Sequence, residues 1–380
     1  MSLEKSVIER YKAGAEIKQE SLCCPVTYNP AYLEVIPDEI LQKDYGCGDP
    51  SQYVKEGDVV LDLGSGGGKI CYIASQIVGA QGKVIGVDFN PTMLALAEKY
   101  RKRIGDEIGW HNVDFLRGRI QDLKTDTNWI DQILKNHPIH DRNQYEEFQK
   151  QIESQQTNHP LVKSDSIDII ISNCVLNLVK KDDRKNMFSE MYRVLKKGAR
   201  VAISDIVSDE HVPQELQNDP ELWSGCISGA FQEEEFLAAF GEAGFYGMCI
   251  DKREEKPWRV VKGIEFRSVT VTAYKGKEGP CFERHQGVIY KGPWKLIEDD
   301  DGHVYERGAR SSVCDKTFKI LTQEPYKNDF IPVEPYREIP LAEAKPYDCP
   351  KNGRRDPRVT KGLDYNKTTE SEDSCCSGSC

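Results

Sequence analysis

The chain has 380 residues, 51 of them Lys or Arg and 62 Asp or Glu, for a formal net charge of −11. At roughly 100–200 residues per domain this length predicts two or three domains with at least one sizeable core. The acidic balance disfavours DNA, RNA or an anionic membrane as the main partner, because such ligands are held by clustered cations, and it points to a small molecule instead.

The N-terminal MSLEKSVIER is charged and lacks the apolar core of a signal peptide. No stretch reaches the roughly 18 uninterrupted apolar residues of a membrane span, so a soluble cytoplasmic protein is expected. Thirteen cysteines are many for such a protein. In a reducing compartment they remain thiols, which points toward soft-element binding or redox work.

Residues 1–50 read as a polar arm with helical patches that carries Cys23, Cys24 and then YGCGDP, where glycines on both sides of Cys47 predict a loop. Residues 51–205 alternate short apolar runs with amphipathic stretches: VVLDLG, KVIGVDF, VDFLRGRI, IDIIISN and RVAISDI. Apolar strands spaced by helices predict an α/β domain, a mostly parallel Rossmann-like sheet with helices on both faces. Residues 125–166, rich in Gln, Asn and His, break this rhythm as a helical excursion on the surface. His137, His140 and His159 there match no compact ligand motif and read as solvated polar residues.

Residues 206–280 hold the small-residue turn WSGCISGAF, the amphipathic stretch QEEEFLAAFGEAGF and the β-rich FRSVTVTAYKG. Residues 281–335 predict a small β-rich C-terminal unit with charged turns. In residues 336–380 prolines and charges dominate, predicting an extended or disordered tail that ends in SCCSGSC.

VVLDLGSGGGK joins a strand, an acidic residue and a glycine cluster that opens a helix. Glycines let the backbone approach a ligand where any side chain would collide, and Asp88 ends the next strand where a carboxylate can receive ribose hydroxyls. A nicotinamide dehydrogenase is the competing reading. The spacing of Asp62, Gly64, Gly66 and Gly68 resembles the first motif of class I S-adenosylmethionine (SAM) methyltransferases, and YRVLKKGARVAISD resembles the hairpin before their fifth strand. This resemblance implies SAM as methyl donor. It implies a cofactor set of Asp62, Gly64, Ser65, Gly66, Gly68, Lys69, Tyr72, Asp88, Phe89, Met93, Ile120, Gln121 and Asn173.

The acceptor is read from the fourth strand. Enzymes that methylate exocyclic amines of bases follow it with Asn or Asp, two prolines and an aromatic residue, whereas this chain has Ser172, Asn173, Cys174 and Val175. Oxygen acceptors need a base to take their proton, and no histidine lies near the motifs. What remains is Cys47, Cys71, Cys174 and Cys226, distributed over the carboxyl edge of the sheet and its flanking loops. Packing suffices to explain Cys249 on an apolar strand, and Cys281, Cys314 and Cys349 support no stronger claim.

Taken in order, YGCG, LDLGSGGGKICY, SNCVLNLV and WSGCISGA resemble the arsenite S-adenosylmethionine methyltransferase family, over about Tyr45 to Tyr274. The resemblance implies a trivalent arsenic substrate held by Cys71, Cys174 and Cys226. Cys47 joins the site or acts in redox, and the implied redox disulfide is Cys47–Cys71. It further implies glutathione or thioredoxin as reductant; no structural metal and a monomer are expected. Soft trivalent arsenic prefers thiolates and keeps a lone pair as nucleophile, so no general base is needed. Two alternatives stand beside this: a methyltransferase for another small acceptor, such as an organic thiol, with incidental cysteines, and a thiol-based metal-binding protein in which the four cysteines hold zinc.

Overall fold

The computed structural model describes residues 3–16, 26–43, 45–349 and 353–369. It divides into two compact units, Met1–Gly276 and Lys277–Cys380. Cys23, Cys24, Cys375, Cys376 and Cys380 lie outside the described residues.

The first unit begins with helices α1 (Leu3–Glu16) and α2 (Asp38–Gln42). Strand–helix alternation follows: β1 (Val59–Leu63), α3 (Lys69–Val78), β2 (Lys83–Asp88), α4 (Pro91–Ile108), β3 (Val113–Arg117), α5 (Thr127–Asn136), α6 (Arg142–Asn158), β4 (Ile167–Asn173), α7 (Lys181–Val194) and β5 (Leu195–Ser208). Then come α8 (Gln214–Gln217), α9 (Pro220–Ser224), β6 (Phe231–Gln232), α10 (Glu233–Glu242), β7 (Tyr246–Arg253), β8 (Arg259–Val261) and β9 (Ile264–Tyr274). The sheet order is β3-β2-β1-β4-β5-β9-β7, with β6 on β5 and β8 on β9. The strands from β1 to β5 pair in parallel, and β9 returns antiparallel along β5 and β7.

Alternation along each strand builds two cores. Leu61, Leu63, Val201 and Ile203 face Met187 and Phe188 of α7 and Phe236 and Phe240 of α10. Val60 and Ala202 face the other way, onto Ile70, Cys71 and Tyr72 of α3 and Leu96 and Ile104 of α4. Residues 206–280 continue the same sheet, because β5 pairs with β9 from Arg200–Tyr274 to Ser208–Phe266. Residues 125–166 form the expected excursion as α5 and α6, with Gln155 the one buried residue of the two helices.

The second unit contains β10 (Phe282–Glu283), β11 (Gly287–Tyr290), β12 (Leu296–Glu298), β13 (Val304–Glu306), β14 (Arg310–Ser312), α11 (Asp315–Leu321), β15 (Phe330–Val333), β16 (Lys345–Pro346) and α12 (Pro357–Lys361). Its core gathers Val288, Tyr290, Tyr305, Val313, Phe318, Leu321 and Phe330. The expected tail after residue 336 is corrected over its described part. β16 pairs antiparallel with β10, and buried Arg355 donates to both Glu283 oxygens at 2.8 and 3.0 Å. Backbone pairing, including Ser312 N to the Gly353 carbonyl at 2.7 Å and Arg355 N to the Arg310 carbonyl at 2.8 Å, and ion pairs such as Arg284–Glu338 and Arg355–Glu283 fix a segment poor in apolar residues.

Candidate active site

At the carboxyl edge of β1, β2 and β4 opens a cavity of about 1140 Å³, counted with its mouth. The loop after β1 forms its floor. Gly64, Gly66 and Gly68 have φ of +76°, +52° and +85°, a left-handed path that only glycine takes without strain. The Gly66 N–H donates to Asp88 Oδ2 at 2.9 Å and the Asn90 N–H to Asp88 Oδ1 at 2.8 Å, tying the two turns together. Burial pushes the Asp88 carboxyl up while these N–H groups pull it back.

Of the expected cofactor set, Asp62, Gly64, Ser65, Gly66, Asp88, Phe89, Met93, Ile120, Gln121 and Asn173 line the cavity. Gly68, Lys69 and Tyr72 do not line it. Gly68 caps α3, Lys69 stacks over the Tyr28 ring at 3.8 Å, and the Tyr72 hydroxyl donates to the Ala97 carbonyl at 2.6 Å inside the core. The helix phase turns Ile70 to the cavity and Tyr72 away from it. Asn173 lines the cavity, yet its amide holds the N-terminal loop. Its Oδ1 accepts from Cys47 N at 2.8 Å and Gly48 N at 3.1 Å, and its Nδ2 donates to the Gly48 carbonyl at 2.6 Å.

The glycines around Cys47 serve this approach. A Cβ on Gly46 would stand 2.3 Å from Asn173 Nδ2, and one on Gly48 would stand 2.5 Å from Ser204 Oγ. The loop therefore lies flat on β4 and β5, and Ser268 Oγ donates to the Cys47 carbonyl at 2.6 Å. Cys47 is disulfide-bonded to Cys174, with a Cα–Cα distance of 5.9 Å. Cys174 and Cys226 both hold positive φ, +58° and +59°, and the Cys226 thiol donates to the Cys174 carbonyl at 3.2 Å. The three cysteines share one buried cluster with Ile206, Ile227 and Phe266.

The structure pairs Cys47 with Cys174 and not with Cys71, the partner that the resemblance implies for the redox step. Cys71 is buried in the opposite core, where its thiol donates to Asp62 Oδ2 at 3.2 Å. Desolvation and the Asp62 charge push that thiol far up, so it stays protonated. Cys249, expected to be packed, is exposed on β7, where the register with β9 shifts between Tyr246 and Cys249.

Sequence reasoning missed several cavity residues. Val7 and Tyr11 bring α1 into the wall. Tyr11 O–H lies 3.9 Å from Cys226 Sγ, and burial beside that sulfur pushes its hydroxyl up, keeping the proton in place. Nothing in a charged amphipathic segment marks it as the wall of a distant pocket. Asp205, which does not line the cavity, carries no sequence signal either. Its carboxylate accepts from Leu176 N at 2.9 Å, Asn177 Nδ2 at 2.8 Å and Ile206 N at 2.8 Å, so it fixes the turn just after Cys174.

The unpartnered polar atoms fit a hydrogen-bonding ligand in this cavity. Ser65 Oγ and Asn90 Nδ2 line the cavity, are buried, and have no hydrogen-bond partner among the described residues. Leaving such groups unmatched costs free energy that a polar ligand recovers.

Residues 54–159 and 142–244 match a family described as a methyltransferase domain, and residues 277–365 match a domain of unknown function. An arsenite methyltransferase of Aquipseudomonas alcaligenes is 30% identical over 82% of this chain and 84% of its own length. The chain belongs to the arsenite methyltransferase family. A human arsenite methyltransferase is 29% identical over 79% of this chain and 73% of its own. The crystal structure of an arsenic(III) S-adenosylmethionine methyltransferase from Chlamydomonas reinhardtii superposes with a TM-score of 0.55 at 25% identity, covering 86% of this chain and all of that one. In the structure the glycine turn and the cysteine cluster adjoin, with Cys174 lining the same cavity as Gly64 and Gly66. Among the described residues no helix is long and apolar enough to cross a membrane.

Proposed function

We propose that the chain transfers methyl groups from SAM to trivalent arsenic held by Cys174 and Cys226, in the cytoplasm and as a monomer. The observation that carries this reading is the convergence of these two cysteines, in strained turns, beside the glycine-floored cavity that Cys174 lines. Asp88 would receive the ribose hydroxyls, Ser65 and Asn90 would give their unmatched polar atoms to the cofactor, and Phe89, Met93, Ile120 and Gln121 would flank the adenine. When bound, SAM supplies an electrophilic methyl group on a sulfonium.

The protein's own part is positioning. Two thiolates hold arsenic with its lone pair free, and a buried, water-poor cluster aims that lone pair at the donor, so orientation supplies much of the rate. No proton has to be removed from the acceptor.

Methylation raises arsenic to the pentavalent state. The Cys47 thiolate then attacks the Cys174 sulfur, and the Cys174–arsenic bond breaks with its electron pair staying on arsenic. Arsenic returns to the trivalent state, and the new bond is a Cys47–Cys174 disulfide, the pairing present in the structure. Exchange with glutathione or thioredoxin restores two thiols by oxidising two others. Cys71, tied to Asp62 in the opposite core, stays outside these steps in this conformation.

Methyl transfer from labelled SAM to arsenite with glutathione present tests the reading. The parent chain methylates arsenite, whereas Cys174→Ser and Cys226→Ser bind SAM normally and lose at least about a hundredfold in transfer. Variants matching the parent would return the acceptor to the class of small organic molecules.

A further inference from the structure

Three thiols that the methyl-transfer chemistry does not use converge in the second unit. Cys281, Cys314 and Cys349 come from three separated segments, and their sulfur atoms all lie within 4.8 Å of one another. We propose that these three cysteines form a three-thiolate site for inorganic arsenic(III), a ligand site built into the domain of unknown function.

The convergence is held by the backbone on every side. Cys281 precedes β10, and its carbonyl accepts from Tyr347 N at 2.9 Å across the β10–β16 pair. The Tyr347 hydroxyl meets Ser312 Oγ at 2.8 Å, two residues before Cys314. The Cys349 carbonyl meets His303 Nε2 at 3.1 Å, and the His303 ring is fixed on its other side by Asp299 Oδ2 at 3.0 Å. Cys314 is buried, while Cys281 and Cys349 are half-buried, so the cluster is preformed and still reachable from solvent.

The donor set decides the ligand. Among the described residues no histidine nitrogen or carboxylate oxygen joins the three sulfurs within that span. A structural zinc ion takes four donors in a tetrahedron, commonly from closely spaced Cys pairs, and here the pairs are 33 and 35 residues apart (314 − 281 and 349 − 314). Arsenic(III) takes three sulfurs in a pyramid and leaves the fourth direction to its lone pair. Binding is an exchange without redox: As(OH)₃ and three thiols give three As–S bonds and release three waters.

Such a site also discriminates by methyl count. Arsenite offers three exchangeable ligands, a monomethylated arsenical two and a dimethylated one a single ligand, so each methyl removes one arm of the chelate. The site therefore prefers the unmethylated species. It rests on the proposed function only for its choice of element, not on the methyl-transfer step.

The test uses the full chain with Cys23, Cys24, Cys174, Cys226, Cys375, Cys376 and Cys380 replaced by Ser, kept reduced with a phosphine and titrated with arsenite. After gel filtration it retains one arsenic per chain, with three sulfur neighbours by X-ray absorption. Adding Cys314→Ser, or Cys349→Ser at the half-buried position should the buried one disturb folding, weakens retention about a hundredfold. Titration with a monomethylated arsenical gives weaker retention than arsenite. No retained arsenic, retention indifferent to both replacements, or a bound zinc that arsenite does not displace would each overturn the site. Labelled-methyl transfer by the unaltered chain is read separately: its failure with arsenic still retained here refutes the proposed function and leaves this site standing.

Discussion

At the scale of single side chains, two buried polar residues hold the backbone around Cys174 and Cys47. Asp205 sits under the turn that follows Cys174, and burial pushes its carboxyl up to about 6 against the pull of three donors and Arg184. Unfolded, the group titrates near 4. Between these values the folded chain binds more protons than the unfolded one, so this group's contribution to stability is present below about pH 4 and is lost as pH rises through about 6. Unfolding of Asp205→Asn followed from pH 4 to 7 should lack this fall, worth up to about 3 kcal/mol, and parallel curves for parent and variant would contradict the assignment. Asn173 acts on the other cysteine. Asn173→Ala strands the Cys47 and Gly48 N–H groups in a buried place. A loss of about 2–4 kcal/mol in urea unfolding follows, together with easier reduction of the Cys47–Cys174 bond.

Whole elements divide into those that shape the site and those that do not. Arg10 in α1 donates to the Glu221 carbonyl at 2.7 Å and to Ser224 Oγ at 3.0 Å, so α1 is fastened to α9, directly before the Cys226 turn. Removing residues 1–16 strips Val7 and Tyr11 from the cavity wall. Calorimetry should then find SAM bound roughly tenfold more weakly, the scale of one lost apolar contact surface. The excursion behaves oppositely. Asp126 caps α5 through Asn128 N at 2.9 Å, and Asp141 caps α6 through Gln144 N at 2.8 Å, but no residue of 125–166 lines the cavity. Replacing residues 127–158 by a short Gly/Ser linker should leave SAM affinity unchanged, and a large loss would mean that these helices reach the site after all.

Over the whole molecule, what was legible in the sequence is what local chemistry determines. VVLDLGSGGGK and VIGVDFN each carry strand period, turn residues and carboxylate in one short stretch, and both form the expected cavity floor. What depends on chain segments meeting from afar was not legible. Cys47 meets Cys174 because Asn173 captures a loop 126 positions away, and no spacing rule contains that capture. Cys71 stands beside the glycine turn in the sequence, and the direction of its thiol, toward Asp62, depends on a helix phase that the turn does not specify. The described part of the C-terminal segment reads as a tail because its anchors are backbone pairs and polar side-chain contacts to distant residues rather than apolar packing. The central claim, that Cys174 carries arsenic and Cys47 then closes on it, is tested most directly by one quenched turnover. Fully reduced chain is mixed with one equivalent each of arsenite and labelled SAM without external thiol, and its disulfides are mapped by mass spectrometry. One methyl on arsenic should appear together with a new Cys47–Cys174 bond; methyl transfer with both thiols still free, or with Cys47 joined to Cys71, would contradict this order of steps.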